Sequence, residues 1–537
     1  MNKIRSTLAQ LRQSSPLRHA PFRKFYIGAT GSAMGYTMQA TTAAWLMATL
    51  TPSALMVALV QTASTAPAIV VGLIAGALAD VVDRRKIILL AQIILFFAAA
   101  LLGATALAGT LGPATLLTLT FVIGAAFTLY MPAQQASIND FVARPEMPRA
   151  LALGAASFNI ARAVGPALAG GIAALLGSGA AMLAAGLCFI PMFTAVRGWK
   201  PRERALPGLP ETISSGVLSG LRFARHSVPI RSILIRTLTF SICASAFWSL
   251  LPVIARDQLG VGAGGFGLVS AAFGIGAVVG ALSIPYQLHR KTLHQVVTLG
   301  AYLWVVATLL IAISHLTILV VIGACAAGIA WVSVLASLST GLQSAAPAWV
   351  RARSVAMNLV VMQTCLAVGS AIWGGVASAI GTQIALALSA GLMLILQFVN
   401  ARVPVEIGTE ADVTTGVQLP ELAINVEPEH DDGPILIQLA YQIDRAQRSE
   451  FLRAIDAMEP IRRRYGAISW RVFRDLEEDG RFVERFIISS YGEYMRLRAR
   501  MTQTDLEAQD NVDRLQRAGV PIRISRLIGV DPEDTSG

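Results

Sequence analysis

Charge is scarce in this chain: only 14% of its 537 residues are Asp, Glu, Lys or Arg. Acid is scarcer still from residue 1 through residue 402. There Asp80, Asp83, Asp140, Glu146, Glu203, Glu211 and Asp257 stand against 26 Lys+Arg. Soluble domains carry about a quarter charged residues, so an ordinary soluble fold is excluded. Cysteine is equally sparse. Cys188, Cys243, Cys325 and Cys365 each sit inside an apolar run, with no CxxC and no Cys/His neighbourhood. A disulfide framework and a zinc site are therefore not expected; the thiols read as apolar packing, and neither metal nor cofactor is expected. The basic balance does not point to nucleic acid either, because the bases fall in short loops rather than along one face.

What is abundant is apolar length. Mean hydropathy is +0.60, and a membrane helix needs about 20 residues to cross the hydrocarbon core. Twelve such runs fit before residue 402: about 25–49, 54–79, 87–109, 114–137, 150–176, 179–195, 231–255, 264–284, 293–313, 316–340, 353–379 and 382–401. Loops after the even-numbered runs hold the bases, among them Arg84, Arg85 and Lys86, then Arg144 and Arg149, then Arg290 and Lys291. Loops after the odd-numbered runs are nearly uncharged, with Arg256 and Asp257 as the exception. The positive-inside rule then puts both termini in the cytoplasm of a multi-pass protein of the cell (inner) membrane. Residues 1–24, with six bases and no acid, read as a retained cytoplasmic segment rather than a signal peptide.

The apolar part repeats at an offset of 204 residues. Residues 164–177 align without a gap on 368–381, with seven of fourteen identical, and Gly76-Ala-Leu and Gly124 recur in the same register at 280–282 and Gly328. The expectation is an all-α membrane protein of twelve helices in two six-helix pseudo-repeats, 25–195 and 231–402, joined by a cytoplasmic linker at 196–230. Within the linker, Ser215–Phe223 reads as a surface helix with Val217, Leu218 and Leu221 as its apolar positions.

After residue 402 the chemistry inverts. Residues 403–537 hold 17 Lys+Arg against 25 Asp+Glu. A polar connector, 403–433, leads to alternating strands at Ile435–Tyr441, Ile468–Val472, Phe482–Ile488 and Ile522–Ile524, with helical spacing at 446–464 and 491–516. The βαββαβ order predicts a small α+β ferredoxin-like domain over 434–533, cytoplasmic like the terminus.

Several side chains in the apolar part invite a functional reading. Between the second and third runs stands Gly76-Ala-Leu-Ala-Asp80-Val-Val-Asp83-Arg84-Arg85-Lys86. The fifth run carries Asn159, Arg162, Gly165-Pro166 and Gly170-Gly171; Gly165-Pro166 frees a carbonyl and permits a bend with close packing. The second half keeps Gly369, Gly374 and Gly375 but has Ser370 where Pro166 stands. Arg162 lies in mid-span, where a charge is costly unless it is paired or meets water. It reads as a contact for substrate or, alternatively, as a structural partner of Gln134, Gln135 or Asn139. Gln39, Gln61, Asn358 and Gln363 are further interior polar positions, and Asp140 is a candidate partner for Arg84. Arg236 reads as snorkelling to the interface. No titratable carboxylate stands deep in a run, so proton coupling would have to use Asp80, Asp140 or Asp257, or Arg162 with the substrate.

The 76–86 stretch resembles the G-x-L-x-D-x-x-x-R-[RK] signature of the major facilitator superfamily, with Asp83 where the family usually has Gly. That resemblance implies a cytoplasmic gate at Gly76, Asp80, Arg84 and Arg85. The fifth run resembles the Gly-Pro…Gly-Gly element of the superfamily's exporters, with one residue more between Pro and Gly. Leu17–Arg23, Met131–Ala136 and Arg149–Leu153 are similar to the transmembrane secretion effector branch, which includes enterobactin-exporter-like and macrolide-efflux-like proteins. The tail resembles antibiotic-biosynthesis-monooxygenase-like domains through Arg462–Asp475, Arg481–Phe486 and Tyr491–Arg496, with Tyr494 and Arg498 where related tails have His. The resemblance implies a secondary transporter, not an enzyme, that exports a small amphipathic compound by alternating access within the lipid bilayer. A transporter–enzyme fusion and an importer are the alternatives. The tail is expected to dimerise or sense a ligand.

Overall fold

The computed structural model describes residues 16–72, 83–199, 213–401 and 428–530, with residues 405, 408–409 and 413–414 of the connector. Eleven of its helices are long and apolar enough to cross a membrane. They are α2 (Ala54–Gly72), α3 (Arg84–Leu107), α4 (Pro113–Phe141), α5 (Met147–Leu176), α6 (Ser178–Arg197), α8 (Val228–Gln258), α9 (Ala263–Arg290), α10 (Leu293–Ile313), α11 (Thr317–Ala345), α12 (Ala348–Ile380) and α13 (Thr382–Asn400). A 31-residue helix, α1 (Ala20–Leu50), precedes them. The linker helix α7 (Ile213–His226) separates α6 from α8.

Local chemistry explains where these helices begin. Pro sits at the first or second position of α1, α4 and α5, where its missing N–H costs nothing. Ser53 caps α2 by accepting from Met56 N, and Thr292 with Gln295 forms a capping box on α10. Gly177 (φ 85°) and Gly381 (φ 96°) turn the chain between α5 and α6 and between α12 and α13. Both sit in left-handed backbone, which glycine enters without a Cβ clash. They are 204 residues apart.

Large apolar side chains point away from the helix bundle: Leu175, Leu282 and Phe398 are 84%, 77% and 81% exposed. Water would penalise such a belt, whereas lipid tails do not. Inside, small residues let helices approach. A Cβ on Gly170 of α5 would fall 2.7 Å from the Gly267 Cα of α9, and the reverse holds equally.

The chain divides into two compact units. The first gathers residues 1–207, 235–338 and 356–404. The second gathers 208–234, 339–355 and 405–537, so it joins the tail to the linker helix and to the segment around the α11–α12 turn. The tail holds β1 (Ile435–Gln442), β2 (Ala467–Arg474), β3 (Arg481–Ile488) and β4 (Arg523–Ile528) in one antiparallel sheet of order β2-β3-β1-β4. That is the ferredoxin-like order. Ile435, Ile437, Leu439 and Tyr441 face the helices, as the period-two pattern requires. The two helical stretches are each broken. The first becomes α14 (Arg448–Asp456) and α15 (Met458–Arg464), and the second becomes α16 (Tyr491–Arg500) and α17 (Gln503–Asp513). The second break has a visible cause: Thr502 and Asp505 form a capping box that starts a new helix.

Candidate translocation site

Arg162 stands near the middle of α5, half-buried, with its guanidinium carbon 5.2 Å from the centroid of Phe158 one turn earlier. Tyr36 of α1 lies within electrostatic reach. The Tyr36 hydroxyl shares a 3.0 Å hydrogen bond with Ser64 of α2, and its ring stacks on Phe127 of α4 with centroids 3.9 Å apart. α5 is held beside α1 by Thr37, which donates to the Ala161 carbonyl (2.9 Å) and packs against Gly165. Among the described residues no carboxylate pairs with Arg162.

The other expected polar positions divide in two. Gln61, Gln134, Asn159 and Gln363 are half-buried and make no side-chain hydrogen bond among the described residues. Asn358 instead accepts from Thr237 (2.7 Å), and Gln39 is buried at 1% exposure. The Gln39 amide nitrogen has no hydrogen-bond partner among the described residues. Of the glycines, Gly165, Gly170, Gly369 and Gly374 meet neighbours closely, at Thr37, Gly267, Ser245 and Ala58 respectively. Gly171 and Gly375 meet nothing within 4 Å, so neither takes part in close packing. Pro166 is buried inside a continuous α5.

Residues 25–195 and 231–402 meet along α5 and α9, from Gly170 and Gly267 to Ala163 and Gly274, and again at the α1–α2 turn. Arg256 donates to the carbonyls of Ala48, Thr51 (2.8 Å) and Pro52 (3.4 Å), while its Nε meets Asp257 at 2.5 Å. Nearby, Leu55 N donates to Ser378 (2.9 Å), Thr62 donates to the Ala367 carbonyl (2.8 Å), and Trp45 stacks near Phe266. Sequence reasoning marked Arg256 only as an exception to the loop-charge pattern and gave it no role. The partners Phe158, Tyr36 and Phe127 were likewise missed, although Phe158 sits four residues before Arg162, the spacing at which helical side chains meet.

Of the gate residues, Gly76 and Asp80 lie outside the described residues. Asp83 caps α3 by accepting from Arg85 N (2.9 Å), which gives the departure from the signature a structural use. Arg84 donates to the Ala136 carbonyl (3.3 Å), one turn before Asp140, and Arg85 donates to the Arg197 carbonyl (2.5 Å). Asp140 itself is half-buried in the last turn of α4. Arg236 does not snorkel. It is 3% exposed and donates to the Asn400 carbonyl (2.6 Å), at the C-terminal end of α13, where a cation is favoured.

In the tail, a buried polar network lies between sheet and helices. Arg462 meets Glu484 in a two-point pair at 2.9 and 3.2 Å, and Trp470 Nε1 donates to the same carboxylate at 2.8 Å. Gln509 accepts from Arg462 and donates to the Tyr441 hydroxyl (3.1 Å) and to Asp513 (2.7 Å). Burial works against the Arg462 charge, but Glu484 beside it holds the guanidinium pKa above its ordinary value. Burial also raises the Tyr441 hydroxyl and the Asp513 carboxyl. The Tyr494 hydroxyl accepts from Arg526 (2.8 Å) and Arg498 (3.4 Å).

A lipid-facing bundle of long helices, packed at glycines and carrying half-buried amides and an arginine within its spans, has the build of an integral-membrane transporter. The fold agrees with solved transporters of the major facilitator type. The chain aligns over 72% of its length with 98% of a bacterial homologue of the human lysosomal transporter Spinster, in an inward-facing and unoccupied conformation (TM-score 0.60, 12% identity). It aligns over 71% with 98% of the nucleoside transporter NupG (TM-score 0.56, 15% identity).

The chain belongs to the transmembrane secretion effector family, whose sequence profile matches residues 12–533. Two relatives are the staphyloferrin A transporter of Staphylococcus aureus and the multidrug efflux pump Tap of Mycolicibacterium fortuitum. The first is 23% identical over 281 residues, covering 51% of this chain and 69% of the relative. The second is 27% identical over 279 residues, covering 49% and 68%.

Proposed function

We propose that this protein exports a small amphipathic metabolite or drug, siderophore-like or macrolide-like, across the cell membrane by alternating access. In this reading α1 is a twelfth span, and the paired glycine turns at Gly177 and Gly381 support two pseudo-repeats of six. With bases in the even-numbered loops, both termini are cytoplasmic and the α1–α2 turn lies outside. The observation that carries the reading is the Arg256 clasp on that turn, together with the unbonded Arg162, Gln61, Gln134 and Gln363. A bundle latched outside, with polar side chains left for water or substrate, is the inward-open half of a transport cycle. Asp80 and Arg84 form the opposing gate. The efflux relative favours export, although the fold also serves import. Uptake of a substrate into everted vesicles tests the direction.

The tail is read as a regulatory module. Within the second unit, Arg222 of α7 pairs with Glu493 at 2.5 Å. Phe223, 2% exposed, packs edge-on to Trp349, and Arg500 lies 4.2 Å over the Trp349 ring. Leu218 and Leu221 of the same helix stay exposed, which suits a membrane interface. Because α7 runs on into α8, and Trp349 opens α12, the tail's grip on them bears on two transport helices through chain continuity. A monooxygenase-like activity is the weaker reading, since the polar groups inside this domain largely satisfy one another. Assay of the full chain for oxygen uptake with candidate quinols distinguishes the two. The open sheet face, with Leu527 51% and Phe473 44% exposed, supports dimerisation as a further property of the tail.

A further inference from the structure

Arg162 has no counter-charge where the structure describes the interior. Every described carboxylate before residue 402 is accounted for elsewhere. Asp83 caps α3, Glu146 binds Arg18 (2.5 Å) and His19 (3.1 Å), Asp257 binds Arg256, and Asp140 stands in the last turn of α4. Asp80, Glu203 and Glu211 fall outside the described residues. A mid-span guanidinium left unpaired is costly in a low-dielectric interior. Its cost is relieved when a ligand brings the missing charge.

The surroundings say what else that ligand carries. Phe158 lies 5.2 Å from the guanidinium carbon, and the N–H groups along the guanidinium edge make no hydrogen bond among the described residues. That edge suits two-point binding of a carboxylate or an equivalent flat oxyanion. Within electrostatic reach lies Tyr36, half-buried and stacked on the buried Phe127; its one polar group, the hydroxyl, already bonds Ser64. Asn159, three residues before Arg162 on α5, adds a neutral amide that makes no side-chain hydrogen bond among the described residues. The same arginine repels ligands with a cationic head, so the site discriminates by exclusion as well as attraction.

We propose that the Arg162 site binds organic anions, taking the oxyanion on the guanidinium edge and a flat apolar body against Phe158 and Tyr36. This rests on the transporter reading above and deepens it.

Three probes sharing one ring system test it: 1-pyrenebutyrate, 1-pyrenebutanol and (1-pyrenebutyl)trimethylammonium. Binding is read on the purified full chain by quenching of tryptophan fluorescence. Wild type is expected to hold the carboxylate at least about tenfold more tightly than the alcohol or the ammonium, the range of one charge-assisted hydrogen-bonding contact. Arg162→Gln is expected to lose that preference, and Arg162→Lys to keep its direction with weaker binding. Phe158→Leu is expected to weaken all three probes alike, and it carries the test if Arg162→Gln fails to fold. Equal or tighter binding of the ammonium by wild type, no binding of any probe, or an intact anion preference in Arg162→Gln overturns the proposal. The same probes in everted vesicles separate it from the export reading. Transport of the cation without anion preference sinks the anion site and leaves export standing. Anion-selective binding without transport in either direction supports the site and sinks export.

Discussion

One guanidinium, that of Arg256, reaches three main-chain carbonyls at the α1–α2 turn. Hydrogen bonds from a charged donor each contribute about 1.5–3 kcal/mol. Arg256→Gln is therefore expected to loosen this end of the bundle, raising amide hydrogen exchange across residues 48–55 by at least about tenfold. Unchanged exchange there would mean that the clasp holds nothing. In the tail, Glu484→Gln leaves the Arg462 charge buried and unanswered, a loss of about 3 kcal/mol in local stability. Arg462→Met combined with Glu484→Leu is expected to recover most of that loss. Exchange over residues 435–528 measures both, and a destabilised double variant would contradict this account of the pair. These residue-scale features were poorly legible in the sequence. Arg256 stood out as a misplaced base, but its acceptors are backbone carbonyls, which carry no side-chain signature. Arg236 read as snorkelling because its partner, the end of α13, is 164 residues away.

Elements were far more legible, because apolar periodicity and turn chemistry are local. The alternation at Ile435–Tyr441 marked the strand β1, and short glycine-containing turns, with Gly177 and Gly381, separate the fifth run from the sixth and the eleventh from the twelfth. What periodicity does not reveal is which faces meet. The contact of Gly170 with Gly267 brings α5 and α9 together without an intervening side chain, and neither glycine announces its partner. Gly267→Val places a side chain against the Gly170 Cα and the Pro166 carbonyl, each 2.7 Å from a built Cβ. That contact must open, since backbone does not yield as a flexible side chain does. Transport by Gly267→Val is expected to fall at least about tenfold at normal membrane expression. Near-wild-type transport would show that the approach of α5 and α9 is dispensable.

At the scale of the whole molecule, hydropathy separated the membrane part from the acidic tail. It did not foretell that the linker helix and the α11–α12 turn belong with the tail. The signal was too dispersed: Arg222, Trp349 and Glu493 are read separately, and only the fold assembles them. If this assembly restrains the transport helices, Trp349→Ala and Glu493→Arg release them. Transport should then rise severalfold, and the charge exchange Arg222→Glu with Glu493→Arg should restore the slower rate. Rates unchanged in both single variants would assign the assembly a purely structural role.

The central claim is outward transport by a bundle held closed at the Arg256 end. Its most direct test is energised accumulation of 1-pyrenebutyrate in everted and in right-side-out membrane vesicles containing the full chain, with Arg162→Gln as control. The account predicts accumulation in everted vesicles, abolished in Arg162→Gln, and none above background in right-side-out vesicles. Accumulation in right-side-out vesicles alone would contradict it.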